Sequence, residues 1–205
     1  IELLKEKPTS RRAVIQLFDA TDLAQHYVSI PCTCTLQFLA RDSRLHLFVS
    51  MRSNDAFIGL PHDIFSFTML QEIVARSVGL EIGEYKHCAG SLHLYDHDID
   101  RARNYLNERW QSSISMPPMP QGDPWKSIKE LQCIEESFRL DQLTDIDSSH
   151  LGEYWKDLAR LMHAFRSTKD KNTLELATVI NSMHSDVYKM FAQARLDTLS
   201  RQVDT

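Results

Sequence analysis

With 205 residues, 42% of them hydrophobic and 25% charged, the chain is long enough for a well-buried domain with an appendage and too apolar to be disordered. A net charge of -5 and a pI near 6.0 exclude the basic surface of a general nucleic-acid binder, and no stretch approaches the eighteen or so uninterrupted apolar residues of a membrane helix. The four cysteines, at 32, 34, 88 and 133, are too few for a disulfide scaffold and imply a reducing, cytoplasmic setting; no signal peptide opens the chain, and Ile1 in place of an initiator Met reads as the start of a fragment.

In chain order, residues 13–18, 33–40 and 44–51 are short and rich in β-branched and aromatic side chains, which predicts strands. Arg41-Asp42-Ser43 predicts the hairpin turn between the last two, because Asp and Ser side chains bond back to local backbone. Gly59 and Pro61 punctuate a loop from Arg52 to Asp63, and Asp63 is placed to cap a following helix. In that helix Ile64, Phe67, Leu70, Val74 and Val78 recur at helical spacing until Gly79. Two short strands at 83–88 and 91–95 precede a polar helix from about 98 to 112.

The proline-rich run 113–124 breaks the chain, and only helical patterns follow. One apolar stripe runs Leu151, Tyr154, Trp155, Leu158, Leu161, Met162, Phe165; a second runs Leu174, Ala177, Ile180, Met183, Val187, Met190, Phe191, Ala194. An antiparallel helical pair is the economical arrangement. The fold class is α+β with a C-terminal α-helical extension.

Cys32 alone reads as a small buried hydrophobe. Cys32 and Cys34 share one face of a strand, but zinc takes four ligands and no second Cys or His pair lies at a usual spacing, so no metal is expected. A nucleophilic thiol needs a neighbouring positive charge, which Arg52 supplies if the end of the third strand lies beside the start of the second.

Four motifs then occur in order: Ser10-Arg11-Arg12; Pro31-Cys32-Thr33-Cys34-Thr35-Leu36-Gln37-Phe38; Arg52-Ser53-Asn54-Asp55-Ala56-Phe57-Ile58-Gly59-Leu60-Pro61; and Gly90-Ser91-Leu92-His93-Leu94-Tyr95. Over residues 8 to 126 this order resembles the thymidylate synthase superfamily, whose members transfer one carbon from 5,10-methylenetetrahydrofolate to a pyrimidine nucleotide. The resemblance implies a thymidylate-synthase-like sheet with packed helices. Residues 1–126 would then be the C-terminal part of a catalytic domain whose N-terminal half precedes Ile1, with 127–205 as the helical extension. It also implies a homodimer.

By position, the resemblance makes Cys32 the nucleophile that adds to C6 of the pyrimidine, and Arg52 the cation beside it that holds the nucleotide phosphate and favours the thiolate. Ser53 becomes a phosphate contact, while Arg11 and Arg12 reach across a twofold interface to the partner's phosphate. Asp55 accepts hydrogen bonds from the pterin ring, and Gly59 lies where backbone approaches base and folate. His93 and Tyr95 bond the sugar hydroxyl.

Asp63 departs from thymidylate synthases, which carry an asparagine facing the uracil edge. An ionised carboxylate only accepts, which suits the cytosine amino group and protonated N3 and opposes uracil O4. Thr33 replaces the usual histidine after the nucleophile, and Cys32-Thr33-x-Thr35-x-Gln37 is similar to the deoxycytidylate and cytidylate hydroxymethylases. The C-terminal lid of thymidylate synthases is not recognisable in 140–205, which reads as packing against the domain or a dimer partner. The resemblance therefore implies hydroxymethylation of dCMP or CMP, with methylation of dUMP as the alternative and a non-catalytic nucleotide-binding subunit as the second.

Overall fold

A computed structural model of the chain describes residues 1–24, 26–109, 113–142 and 144–203. They divide into two compact units, one of residues 1–112 with 121–123, the other of 113–120 with 124–205.

In the first unit, a short helix α1 (Glu2–Glu6) precedes the strands β1 (Val14–Gln16), β2 (Thr33–Arg41) and β3 (Arg44–Met51). A two-residue strand β4 (Asn54–Asp55) leads into α2 (Gly59–Val78), followed by β5 (Glu81–Ala89), β6 (Leu92–His93) and α3 (Ile99–Asn107). Four strands form one sheet in the order β1-β2-β3-β5, antiparallel except for the parallel pair β3–β5 that α2 connects. The strands β4 and β6 form a separate parallel pair.

Alternation along the hairpin builds the core. Leu36, Phe38 and Ala40 of β2 and Leu45, Leu47, Val49 and Met51 of β3 are buried together with Val74 and Ala75 of α2. Gln71 fixes α2 over the sheet, its buried amide donating to the Leu45 carbonyl at 2.8 Å. The hairpin turn stands where expected, with Asp42 and Ser43 at φ of 50° and 59°, both left-handed as a tight two-residue hairpin connection requires. Gly79 ends α2 in the left-handed region at φ 70°.

One irregularity decides where Cys32 points. Thr33 pairs with Met51 but Thr35 pairs with Ser50, so Cys34 is an extra residue on β2. In a regular strand that counted Cys34, Cys32 would fall in step with Leu36 and Phe38 and face the core. With Cys34 bulged out of the count, Thr33 stands opposite buried Met51, and Cys32 lies on the other side, exposed.

Three expectations change. Asp63 does not cap α2, because the helix starts four residues earlier at Gly59. Pro61 lies in its first turn, where its missing N–H has no intrahelical partner to lose. The polar helix α3 ends at Asn107 rather than 112, and 110–112 lie outside the described residues.

Among its described residues the second unit holds four helices rather than a pair: α4 (Trp125–Arg139), α5 (Glu153–Lys169), α6 (Thr173–Ser182) and α7 (Asp186–Val203). The stripe expected as one helix over 174–194 is split at Met183-His184-Ser185 with neither Gly nor Pro there. Buried Asp157 of α5 causes the break, its carboxylate accepting the backbone N–H of His184 at 2.9 Å and of Ser185 at 2.7 Å. Leu176, Val179, Ile180, Met183, Tyr188, Ala192 and Leu199 form the core with Ala164. Phe165, Leu174 and Phe191 of the stripes remain exposed. None of the described helices is long and apolar enough to cross a membrane.

Candidate active site

The end of β3 does lie beside the start of β2. The Arg52 N–H donates to the Cys32 carbonyl at 2.9 Å, continuing the ladder past the bulge. The Arg52 guanidinium turns back along the same segment, Nε donating to the Pro31 carbonyl at 2.9 Å and Nη2 to that of Ile30 at 3.0 Å. Two of its five N–H donors thus hold the approach to Cys32, and three are left for an anion.

The next residues meet the β6 strand. Asn54 pairs with Leu92 and Asp55 with His93; the Asn54 N–H donates to the Ser91 carbonyl and the Ala56 N–H to that of His93, each at 2.8 Å. Ser53 Oγ lies 3.3 Å from His93 Nδ1. His93 meets Tyr95 edge to face at 4.9 Å, and Tyr95 stacks on His97. This junction is close at Gly90, where a Cβ would stand 3.1 Å from the Arg52 carbonyl.

Asp55 takes the capping role expected of Asp63. Its Oδ1 accepts the Phe57 N–H at 3.2 Å, and its Oδ2 those of Ile58 and Gly59 at 2.9 Å each, which satisfies the first N–H of α2 and the two just before it. The Gly59 bond, with those of Ile58 and Phe57 and the nearby His93, holds the Asp55 carboxyl below the usual range against its partial burial. A Cβ at Gly59 would lie 2.8 Å from Asn54 Oδ1. Oδ1 of Asp55 accepts a single N–H, so it keeps capacity for a further donor, as a pterin ring would bring.

A group with a lowered folded pKa contributes stability above its unfolded value, near pH 4, and loses it as pH falls through the folded one. Hydrogen-exchange protection at Ile58 and Gly59 should therefore drop as pH falls from about 5 to about 2. Asp55→Ala should cost about 1–2 kcal/mol in a denaturant melt at pH 7. Unchanged protection and stability would remove Asp55 as the cap.

Asp63, half-buried, sits just past the first turn of α2. Its charge acts on Tyr85 and His87 of β5, the strand against which α2 packs. Arg11 and Arg12 lie apart from this cluster. The Phe38 N–H donates to the Ala13 carbonyl, so Arg12 is level with Leu39, seven residues along β2 from Cys32. At about 3.3 Å per residue that is roughly 20 Å, beyond the reach of an arginine side chain. Both are exposed, and among the described residues neither guanidinium makes a hydrogen bond or ion pair.

The model for the family described as thymidylate synthase matches residues 1–142, more than two thirds of the chain. The chain belongs to the thymidylate synthase family. Thymidylate synthase from Listeria monocytogenes serotype 4a (strain HCC23) is 36% identical over 107 residues, covering 52% of this chain and 34% of that protein. Thymidylate synthase from Symbiobacterium thermophilum is 33% identical over 143 residues, 70% of this chain and 47% of the relative. The solved structure of the thermostable thymidylate synthase A from Bacillus subtilis aligns with a TM-score of 0.50 at 34% identity, over 55% of this chain and 40% of that one. The chain thus spans between a third and a half of the length of the thymidylate synthases it matches. The mixed sheet with packed helices is the fold expected from the motifs. The family match ends before α5, so α5 to α7 lie outside it.

Three residues of this neighbourhood carried no assigned role in the sequence: Asn54, Tyr85 and His87. Their signal was present as a Tyr-x-His pair at strand spacing, on a strand whose face α2 covers.

Proposed function

We propose that this chain carries the nucleophile-bearing part of a one-carbon transferase that hydroxymethylates a cytidine monophosphate, dCMP or CMP, at C5. Asp63 is the observation that carries this reading. By the resemblance it is a carboxylate where thymidylate synthases place an amide, and it lies within α2, its charge acting on Tyr85 and His87, rather than at the helix cap first expected. An acceptor-only edge suits the cytosine amino group and N3–H.

The chemistry assigned to the chain's own residues runs as follows. The Cys32 sulfur adds to C6, which makes C5 nucleophilic; Arg52, Ser53 and the partner copy's Arg11 and Arg12 hold the phosphate; His93 and Tyr95 hold the sugar. Methylenetetrahydrofolate, when bound over Asp55 and Gly59, supplies the one-carbon unit. Loss of the C5 proton would release tetrahydrofolate and leave an exocyclic methylene at C5 with the sulfur still on C6; water then adds to that carbon, and the Cys32 thiolate leaves C6 as the C5–C6 double bond reforms. The homodimer is supported by the distance of Arg11 and Arg12 from their own Cys32. Residues 1–126 are read as the catalytic part and 127–205 as its helical extension.

The relatives' names favour a second reading, reductive methylation of dUMP. Product analysis separates the two. The full-length protein with methylenetetrahydrofolate and dCMP, CMP or dUMP should give a hydroxymethylated cytosine nucleotide and no dihydrofolate. A methylated uracil nucleotide with dihydrofolate would establish the second. Asp63→Asn should move selectivity from cytosine towards uracil by about 5- to 150-fold, the effect of leaving one buried polar group unpaired. Unchanged selectivity would sink the reading of the base edge.

A further inference from the structure

Asp98 stands at the N-cap position of α3, where a carboxylate ordinarily accepts N–H groups of the first helical turn. Here it makes no such bond. Its side chain is buried, and its two oxygens serve two exposed side chains instead: Oδ1 accepts from Arg101 Nη1 at 2.6 Å, and Oδ2 lies 3.3 Å from His97 Nε2. Its backbone N–H donates to the Tyr95 carbonyl at 2.9 Å, which closes the turn that carries these residues.

Each partner leads to a different part of the site. The His97 ring stacks on that of Tyr95, with 5.4 Å between centroids and 16° between planes. The Arg101 guanidinium lies over the Phe57 ring, 5.1 Å from its centroid. The Phe57 N–H is the one that Asp55 Oδ1 accepts, on the oxygen with capacity left for a further donor. The side chains of His97 and Arg101 are 75% and 62% exposed, and among the described residues neither has another hydrogen bond or ion pair. The Asp98 carboxylate is therefore what keeps both from swinging freely in solvent.

We infer that Asp98 is a positioning residue with one oxygen for each substrate: through His97 it sets the Tyr95 ring for the nucleotide sugar, and through Arg101 and Phe57 it sets the Asp55 carboxylate for the folate. The inference rests on the proposed roles of Tyr95 and Asp55. Every link in both arms is a direct contact, and the arms part at the carboxylate itself, so each can be cut without touching the other.

The test is titration calorimetry on the full-length protein. The nucleotide side is read with dCMP or dUMP, whichever binds the more tightly, and the folate side with tetrahydrofolate at saturating nucleotide. His97→Ala should raise Kd for the nucleotide about fivefold and leave that for tetrahydrofolate within about twofold; Arg101→Ala should do the reverse. Asp98→Ala should raise both, each change being roughly what one hydrogen bond of ordinary strength is worth. Arg101→Lys keeps a cation over the Phe57 ring and should restore most of the folate affinity. Because His97 and Arg101 are exposed, their variants should melt within a few degrees of wild type. Kd values that move together in every variant overturn the role of Asp98. So do values that stay at wild type while Tyr95→Phe weakens the nucleotide and Asp55→Asn weakens tetrahydrofolate, a result that leaves the subsite roles standing. Values unmoved by Tyr95→Phe and Asp55→Asn overturn those roles and the inference with them.

Discussion

Replacing Cys32 by alanine should lower turnover by about 10⁴-fold or more while nucleotide binding stays within a few-fold of wild type. The loss is that large because no covalent route to an activated C5 exists without the sulfur. The small effect on binding follows from geometry. Arg52 is tied to the Ile30 and Pro31 carbonyls and to the Cys32 backbone, none of which the substitution touches. Cys32 is exposed and off the core face, so the fold should lose no more than about 0.5 kcal/mol. Isothermal titration beside a turnover assay reads both quantities. Turnover near wild type would remove Cys32 as the nucleophile, and loss of binding together with turnover would make it a binding residue.

The largest stability effect is expected far from that chemistry, at Asp157. Its carboxylate, 2% exposed, meets Arg160 at 2.8 Å and caps the start of α7 through the N–H groups of His184 and Ser185. Burial works against the Arg160 charge, but hydrogen bonds to Asp157, Asp147 and Glu153 outweigh it and hold the guanidinium cationic. Asp157→Ala leaves two amides uncapped and removes the buried partner of a buried cation. The expected cost is about 3 kcal/mol, a fall of roughly 15 °C in Tm for a unit of this size. Asp157→Asn retains an acceptor for the amides and should recover part of it. A loss below about 0.5 kcal/mol for the alanine variant would mean that the α6–α7 break has another cause.

These two residues also mark what a linear sequence makes visible. The hairpin followed from local alternation and its turn residues; the nearness of Arg52 to Cys32, 20 residues away, was conditional in the sequence on the end of β3 meeting the start of β2, which the hairpin register supplies. The start of α2 did not. Gly59 and Pro61 look like loop punctuation, and the carboxylate that satisfies the helix N-terminus comes from Asp55 upstream rather than from Asp63. Asp157 was illegible for a stronger reason. It interrupts a continuous apolar stripe from 27 and 28 residues away, and nothing near Ser185 announces it. The contact of Asn54 Nδ2 with His87 Nε2, at 3.0 Å, likewise joins residues 33 apart, which spacing rules do not reach.

The extra residue at Cys34 has a consequence for how this strand tolerates change over evolutionary time. A strand counts in twos, so one residue added or removed exchanges its inside for its outside. Cys34, bulged out of that count, lets Cys32 point outward while Leu36 and Phe38 stay inward. Deleting the residue would leave a plain strand with Cys32 still outward, whereas straightening the bulge with the residue kept would swing the thiol towards the core. What holds Cys32 outward is thus an odd count of pleated steps between it and Leu36, which a one-residue bulge or a strand shorter by one residue supplies equally well.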